Sequence, residues 1–273
     1  MILVNGEAVT HVSVEDRGLL YGDGLFETIA VRDGRPILWQ RHMQRLISGC
    51  TRLAIPQPDS QLLWDEALTV CKEVQQAVLK IIITRGISGR GYRPDATEIK
   101  PTRIITLHPW PDYPPEFTTH GVSVRLCTNR LGSNPALAGV KHLNRLEQIM
   151  ARSEWHDHSI QEGFMLNSTG HVIEGTMSNV FMVREGVVIT PDLSECGVPG
   201  IIRAEILEQV AAWSIPCDIT AISVEELMAA QEVFLCNSII GIWPVRAFTG
   251  IHFPVGSLTQ RIITHLDELF TTC

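Results

Sequence analysis

Seven residues near the middle of the chain limit its folding more than any others: Pro109-Trp110-Pro111-Asp112-Tyr113-Pro114-Pro115. Proline fixes φ and has no backbone N–H to donate, so neither a helix interior nor an inner strand runs through such a stretch. It reads as an extended linker. The chain is therefore expected to form an N-terminal α/β domain over residues 1–112 and a C-terminal mixed-sheet domain over residues 116–273, with 109–115 between them. At 273 residues with 45% hydrophobic content, both halves have material for a core.

Within the halves, strands and helices are interleaved. Asn5-Gly6 and Asp33-Gly34 suit the positive φ angles of two-residue hairpin turns between short apolar runs. The spacing of Met43, Leu46, Ile47 and Cys50 predicts a helix over 41–53, and a second is expected over 61–74. The β-branched runs 77–84 and 103–107 read as strands. Beyond the linker, strands are expected over 122–127, 163–166, 171–174, 179–183 and 232–236. Helices are expected over 143–155, 201–213 and 258–270. Mixed elements in two halves give an α+β (mixed α/β) fold class.

Charge and composition exclude several functions. Acids outnumber bases, 30 to 22, for a net charge of -8, so the chain has no general basic face for nucleic acid or a membrane surface. No run approaches the length of a spanning helix. Asn5, Glu7, Glu15 and Asp16 interrupt any secretory-type opening. The seven cysteines are scattered without a CxxC pair, as in a reduced, cytoplasmic protein. His156 and His158 lack neighbouring ligands, and no metal site is expected.

Only four lysines are present, against 18 arginines. Lys141 alone follows an apolar, small-residue run, Asn134-Pro-Ala-Leu-Ala-Gly-Val-Lys141, and precedes an expected helix. Desolvation there would lower its pKa and make it a nucleophile and base; the alternative is an exposed lysine at a helix start. Glu174 ends an alternating strand ahead of Gly175 and small hydroxyl residues. It is either a carboxylate aimed into a cleft, able to hold a protonated ring nitrogen, or a solvated strand end. Gly197-Val-Pro-Gly200-Ile201-Ile202-Arg203 opens a helix whose free N–H groups suit a phosphate. Arg45, in His42-Met-Gln-Arg45-Leu, offers a guanidinium fork to the same anion or sits on a helix surface.

Together these motifs, with Tyr21-Gly-Asp-Gly-Leu-Phe-Glu-Thr28, Ser178-Asn179-Val-Phe181 and Cys236-Asn-Ser238, resemble the fold-type IV pyridoxal-phosphate enzymes. That group holds branched-chain and D-amino-acid aminotransferases and aminodeoxychorismate lyase. Arg85-Gly-Ile-Ser-Gly-Arg90-Gly-Tyr92 and the stretch from Asn134 to Gln148 resemble the lyase branch. The resemblance implies a two-domain architecture with pyridoxal 5'-phosphate in the interdomain cleft, and a homodimer. It implies that Lys141 carries the cofactor through an imine and that Glu174 holds the pyridine nitrogen. Arg45 and the amides of Ile201 and Ile202 would bind phosphate, with Ser238 and Asn179 contributing. Two positions depart from the aminotransferase pattern. Ile202 stands where threonine is frequent, and His142-Leu-Asn144-Arg145 follows the lysine where a tyrosine is usual.

The implied reaction converts 4-amino-4-deoxychorismate to 4-aminobenzoate and pyruvate, a step towards folate. Lys141 would take the C4 proton, and loss of the enolpyruvyl group would make the ring aromatic. The substrate's carboxylates call for arginine: Arg90 with Tyr92 first, Arg145 second, although Arg90 also reads as an ordinary loop residue. The alternatives are an aminotransferase for D- or branched-chain amino acids and a non-catalytic relative.

Overall fold

The computed structural model describes residues 1–94 and 99–272, which fall into two compact units. The first comprises residues 1–111 together with Val140–Asn144. It opens with β1 (Ile2–Val4), α1 (Arg17–Tyr21), β2 (Gly24–Arg32) and β3 (Arg35–Pro36). Helices α2 (Trp39–Arg52) and α3 (Ser60–Cys71) and strands β4 (Gln76–Thr84) and β5 (Thr102–Pro109) complete it. Its five-stranded antiparallel sheet has the order β1-β5-β4-β2-β3. Asn5 and Gly6 (φ 53° and 87°) and Asp33 and Gly34 (φ 46° and 77°) turn the chain in the left-handed region, as their residue types foretell. Ile29, Val31, Leu79, Ile81, Ile83 and Ile105 pack against Met43, Leu46, Cys50, Leu63 and Ala67 from the two helices.

The second unit comprises Asp112–Gly139 and Arg145–Thr272. Its elements are α4 (Glu116–Thr119), β6 (Val122–Leu131), α5 (Leu146–Arg152), β7 (Glu162–Asn167), β8 (Val172–Gly175), β9 (Asn179–Arg184) and β10 (Val187–Pro191). They continue as α6 (Ile201–Ala212), β11 (Cys217–Thr220), α7 (Val224–Met228), β12 (Glu232–Asn237), β13 (Gly241–Phe248), β14 (Ile251–His252) and α8 (Ser257–Thr272). The main sheet runs β11-β10-β9-β12-β13-β6-β7-β8, with β14 paired to β13. Parallel pairs at β10–β11, β13–β6 and β6–β7 make it mixed. Its core joins Phe164, Val180, Met182, Leu235, Trp243 and Phe248. No helix among the described residues is long and apolar enough to cross a membrane.

Two expectations need correction. The helix expected over 143–155 is confined to Leu146–Arg152; ahead of it the chain runs extended along β2, where the Leu143 N–H donates to the Gly24 carbonyl oxygen (3.0 Å). The lysine was expected in the C-terminal domain. Instead, Val140–Asn144 packs with the first unit, where Val140 is a core residue and the segment bonds to β2.

Candidate active site

Lys141 is held by its backbone. The Phe26 N–H donates to the Lys141 carbonyl oxygen at 3.0 Å, the Leu143 N–H donates to Gly24, and Leu25 pairs antiparallel with His142. The segment thus behaves as a short extra strand along the first half of β2. The Nζ of Lys141 stands 4.3 Å from the centre of the Phe26 ring. The expected apolar setting is real: Val140 is buried, and the ammonium faces an aromatic surface.

Beside Phe26, Glu27 is fully buried. Its carboxylate accepts from Arg45 Nε at 2.8 Å and Arg45 Nη2 at 2.5 Å, and lies 2.7 Å from His42 Nδ1. The i, i+3 spacing on α2 puts His42 and Arg45 on one face, towards β2. Burial opposes ionisation of Glu27, but Arg45 and then His42 outweigh it and hold the carboxyl at about 2. His42 is pushed below its usual value, first by burial and further by the charges of Arg45 and Lys141, with Glu27 resisting. His42 is therefore a neutral ring donating Nδ1–H to Glu27. Glu27 and the Nδ1 contact were missed in the sequence. No local signal marked Glu27, since its donors come from α2.

The second unit carries Glu174, Asn179, Ile201, Ile202, Arg145 and Ser238. Glu174, at the end of β8, is 6% exposed, and its Oε2 accepts the Val198 N–H at 2.9 Å. Asn179 clamps the same turn from β9: Nδ2 donates to the Val198 carbonyl oxygen at 2.9 Å, and Oδ1 accepts the Gly200 N–H at 2.8 Å. A Cβ on Gly200 would stand 2.3 Å from that Oδ1, so the turn requires glycine at this close approach. Gly200 is the N-cap of α6; no side chain caps the helix, and no acid lies in its first turn. The side chains of Ile201 and Ile202 are buried. Arg203 reaches back to the Pro191 carbonyl oxygen at 3.0 Å. A helix of this length with an uncapped, acid-free N-terminus suits an anion.

Arg145, just outside α5, has its pKa lowered by burial, while Glu174 and Glu147 act against that shift. Ser238 follows β12, in a turn whose neighbour Asn237 accepts the Ile239 and Ile240 N–H groups and donates to the Met177 carbonyl oxygen at 3.0 Å. Arg90 and Tyr92 lie on an exposed loop of the first unit. That loop is anchored by Arg17, which is buried and donates to the carbonyl oxygens of Gly91 (2.8 Å) and Tyr92 (3.0 Å). Asp23 binds Arg17 and Arg85 together, and Arg85 in turn holds the carbonyl oxygens of Leu53 and Ala54. Lys141 and Arg45 thus belong to one unit, and Glu174, Asn179, Ile201, Ile202, Arg145 and Ser238 to the other.

Comparison with known proteins shows the family. Residues 24–248 match the model of the amino-transferase class IV family. The chain is 37% identical over 271 residues to an aminodeoxychorismate lyase of Vibrio harveyi, covering 98% of this chain and 100% of that one. The crystal structure of 4-amino-4-deoxychorismate lyase from Pseudomonas aeruginosa superposes with a TM-score of 0.95 at 48% identity, covering 98% of both chains. The Escherichia coli branched-chain amino acid aminotransferase structure matches with a TM-score of 0.88 at 29% identity, over 98% of this chain and 94% of that one.

Proposed function

Because the chain belongs to the amino-transferase class IV family, we propose that it is a pyridoxal-phosphate-dependent lyase that converts 4-amino-4-deoxychorismate to 4-aminobenzoate and pyruvate. The observation that carries this reading is full-length similarity to two such lyases, at 37% and 48% identity, against 29% for the branched-chain enzyme's structure.

The residues present fit the cofactor. The uncapped start of α6 suits its phosphate, Glu174 its ring nitrogen and Lys141 its aldehyde carbon. When bound, pyridoxal phosphate draws negative charge from a substrate carbon into its ring. The protein's part is positional and acid–base. The amine of Lys141, its backbone fixed on β2, takes the proton from C4 of the substrate. Glu174, buried and held by the Val198 N–H, keeps a proton on the ring nitrogen. The amides of Ile201 and Ile202, with Arg45 and Ser238, bind phosphate. Asn179 supports that cradle through Gly200 and Val198. Arg45 comes with Glu27 and His42 already on it, so its guanidinium is presented in one orientation. Loss of the proton and of the enolpyruvyl group makes the ring aromatic, which drives the reaction forward. Arg90, with Tyr92, and Arg145 are the groups assigned to the substrate's carboxylates. A homodimer in the cytoplasm completes the proposal.

The test offers 4-amino-4-deoxychorismate and measures 4-aminobenzoate and pyruvate, then offers leucine or D-alanine with 2-oxoglutarate. Aminobenzoate in equal yield with pyruvate is expected. Efficient keto-acid exchange without aminobenzoate would establish the aminotransferase reading instead.

A further inference from the structure

Glu162, the first residue of β7, is completely buried, and none of the roles described above uses it. Its Oε1 accepts the Gly163 N–H at 2.9 Å, the Thr176 N–H at 2.8 Å and the Thr176 hydroxyl; its Oε2 lies 3.4 Å from the Ser178 hydroxyl. All but the Gly163 contact come from the short connection Thr176–Ser178 between β8 and β9. That connection lies between Glu174 on β8 and Asn179 on β9. Its middle residue, Met177, receives the Asn237 amide from the turn that carries Ser238.

Gly175 records how closely the carboxylate approaches. A Cβ there would lie 3.2 Å from Glu162 Cδ and 2.3 Å from the Ser178 hydroxyl oxygen. A side chain at this position would drive the loop and the carboxylate apart.

From this geometry we infer that Glu162 is a positioning residue for the cofactor: a buried acceptor that fixes Thr176–Ser178 and so sets Glu174, Asn179 and the Ser238 turn in place together. The inference rests on the reading of Glu174 as partner of the ring nitrogen. The connection holds no regular structure of its own, and without an internal acceptor its N–H and hydroxyl groups would seek other partners. Burial pushes the Glu162 carboxyl above its ordinary value, while the Thr176 and Gly163 donors and the Arg152 charge act against that push. What the site demands is thus an acceptor of this reach, not a proton carrier.

Three variants of the full-length protein test this. Glu162→Met keeps the chain length and removes the acceptor. Glu162→Gln keeps an acceptor oxygen where Oε1 stands. Thr176→Val removes one donor and leaves the carboxylate. Each is titrated with pyridoxal phosphate, following the dissociation constant and the absorption band of the bound form, with melting temperature recorded separately. Glu162→Met is expected to raise the dissociation constant on the order of tenfold or more, as loss of a buried acceptor that leaves its donors unsatisfied implies, and to move the band as Glu174 loses its fixed place. Thr176→Val should shift both readouts the same way by less, and Glu162→Gln should stay near the parent. A folded Glu162→Met with parental affinity and band overturns the inference, even if it melts earlier. So does a Glu162→Gln as impaired as the methionine variant. If Glu162→Met does not fold, Thr176→Val decides by the same two readouts. A parent that binds pyridoxal phosphate but makes no aminobenzoate would end the proposed reaction and leave this test standing.

Discussion

Phe26 and Glu27, neighbours on β2, serve opposite faces of one strand: the first offers its ring to Lys141, the second its carboxylate to Arg45 and His42. Lys141→Ala is expected to abolish both turnover and the visible band of the loaded protein; turnover retained without the band would refute the assigned base. Glu27 makes a sharper prediction about stability. Its folded value of about 2 lies below the ordinary 4.5, so the ionised pair stabilises the fold above about pH 4.5, and this contribution is lost as pH falls through 2. Glu27→Ala should cost ~3–5 kcal/mol at neutral pH, since it strands a buried arginine. Urea unfolding at pH 7 and pH 3 measures the loss, which should shrink at the lower pH. Lys141 stood out by the scarcity of lysine and its apolar run, whereas Glu174 and Arg45 gained their proposed roles only through the family resemblance. Glu27 and Glu162 did not stand out, because a carboxylate declares itself buried only once its donors arrive from elsewhere, here α2 for the first and the β8–β9 connection for the second.

At the scale of elements, turn chemistry was the most readable signal. Glu185 and Gly186, with φ of 52° and 78°, close the β9–β10 hairpin as Asp33-Gly34 closes β2–β3. Asn5-Gly6 instead turns the chain through a single bridge, Val4 to Glu7, and the hairpin expected with Ala8-Val9 does not form because β1 pairs with β5. Such turns depend on local sterics alone, which a sequence carries in full. The missing first turn of the expected helix over 143–155 is the opposite case. Leu143 has a helical residue's propensity, yet its N–H is taken by Gly24, more than a hundred residues earlier, and no periodicity foretells that. The start of α6 yields a further prediction. Gly200→Ala has no backbone strain to bear at φ -67°, but its methyl would displace the Asn179 amide. Helix content by circular dichroism should be unchanged, while cofactor affinity falls roughly tenfold, the worth of about one charge-assisted hydrogen bond. An unchanged affinity would remove Asn179 from the cradle.

At the scale of the whole molecule, the linker proline tract was legible as a break, and the change of unit falls between Pro111 and Asp112. What the linear reading missed is that the first unit is not contiguous. Five residues, Val140–Asn144, return to it, and Val140 sits in its core at 2% exposure. Val140→Ala is expected to destabilise the first unit by about 1.5–2 kcal/mol, read by hydrogen exchange at β2 amides such as Phe26. Residues 1–111 produced alone would lack that strand and leave the first half of β2 with an unmet edge. The consequence reaches beyond folding. A gene cut or recombined at the linker would hand each product an intact-looking module, yet the amine proposed as the base would travel with the wrong piece. The two modules can therefore diverge in sequence, but neither can be exchanged by a single crossover at the linker without parting the lysine from the strand that holds it.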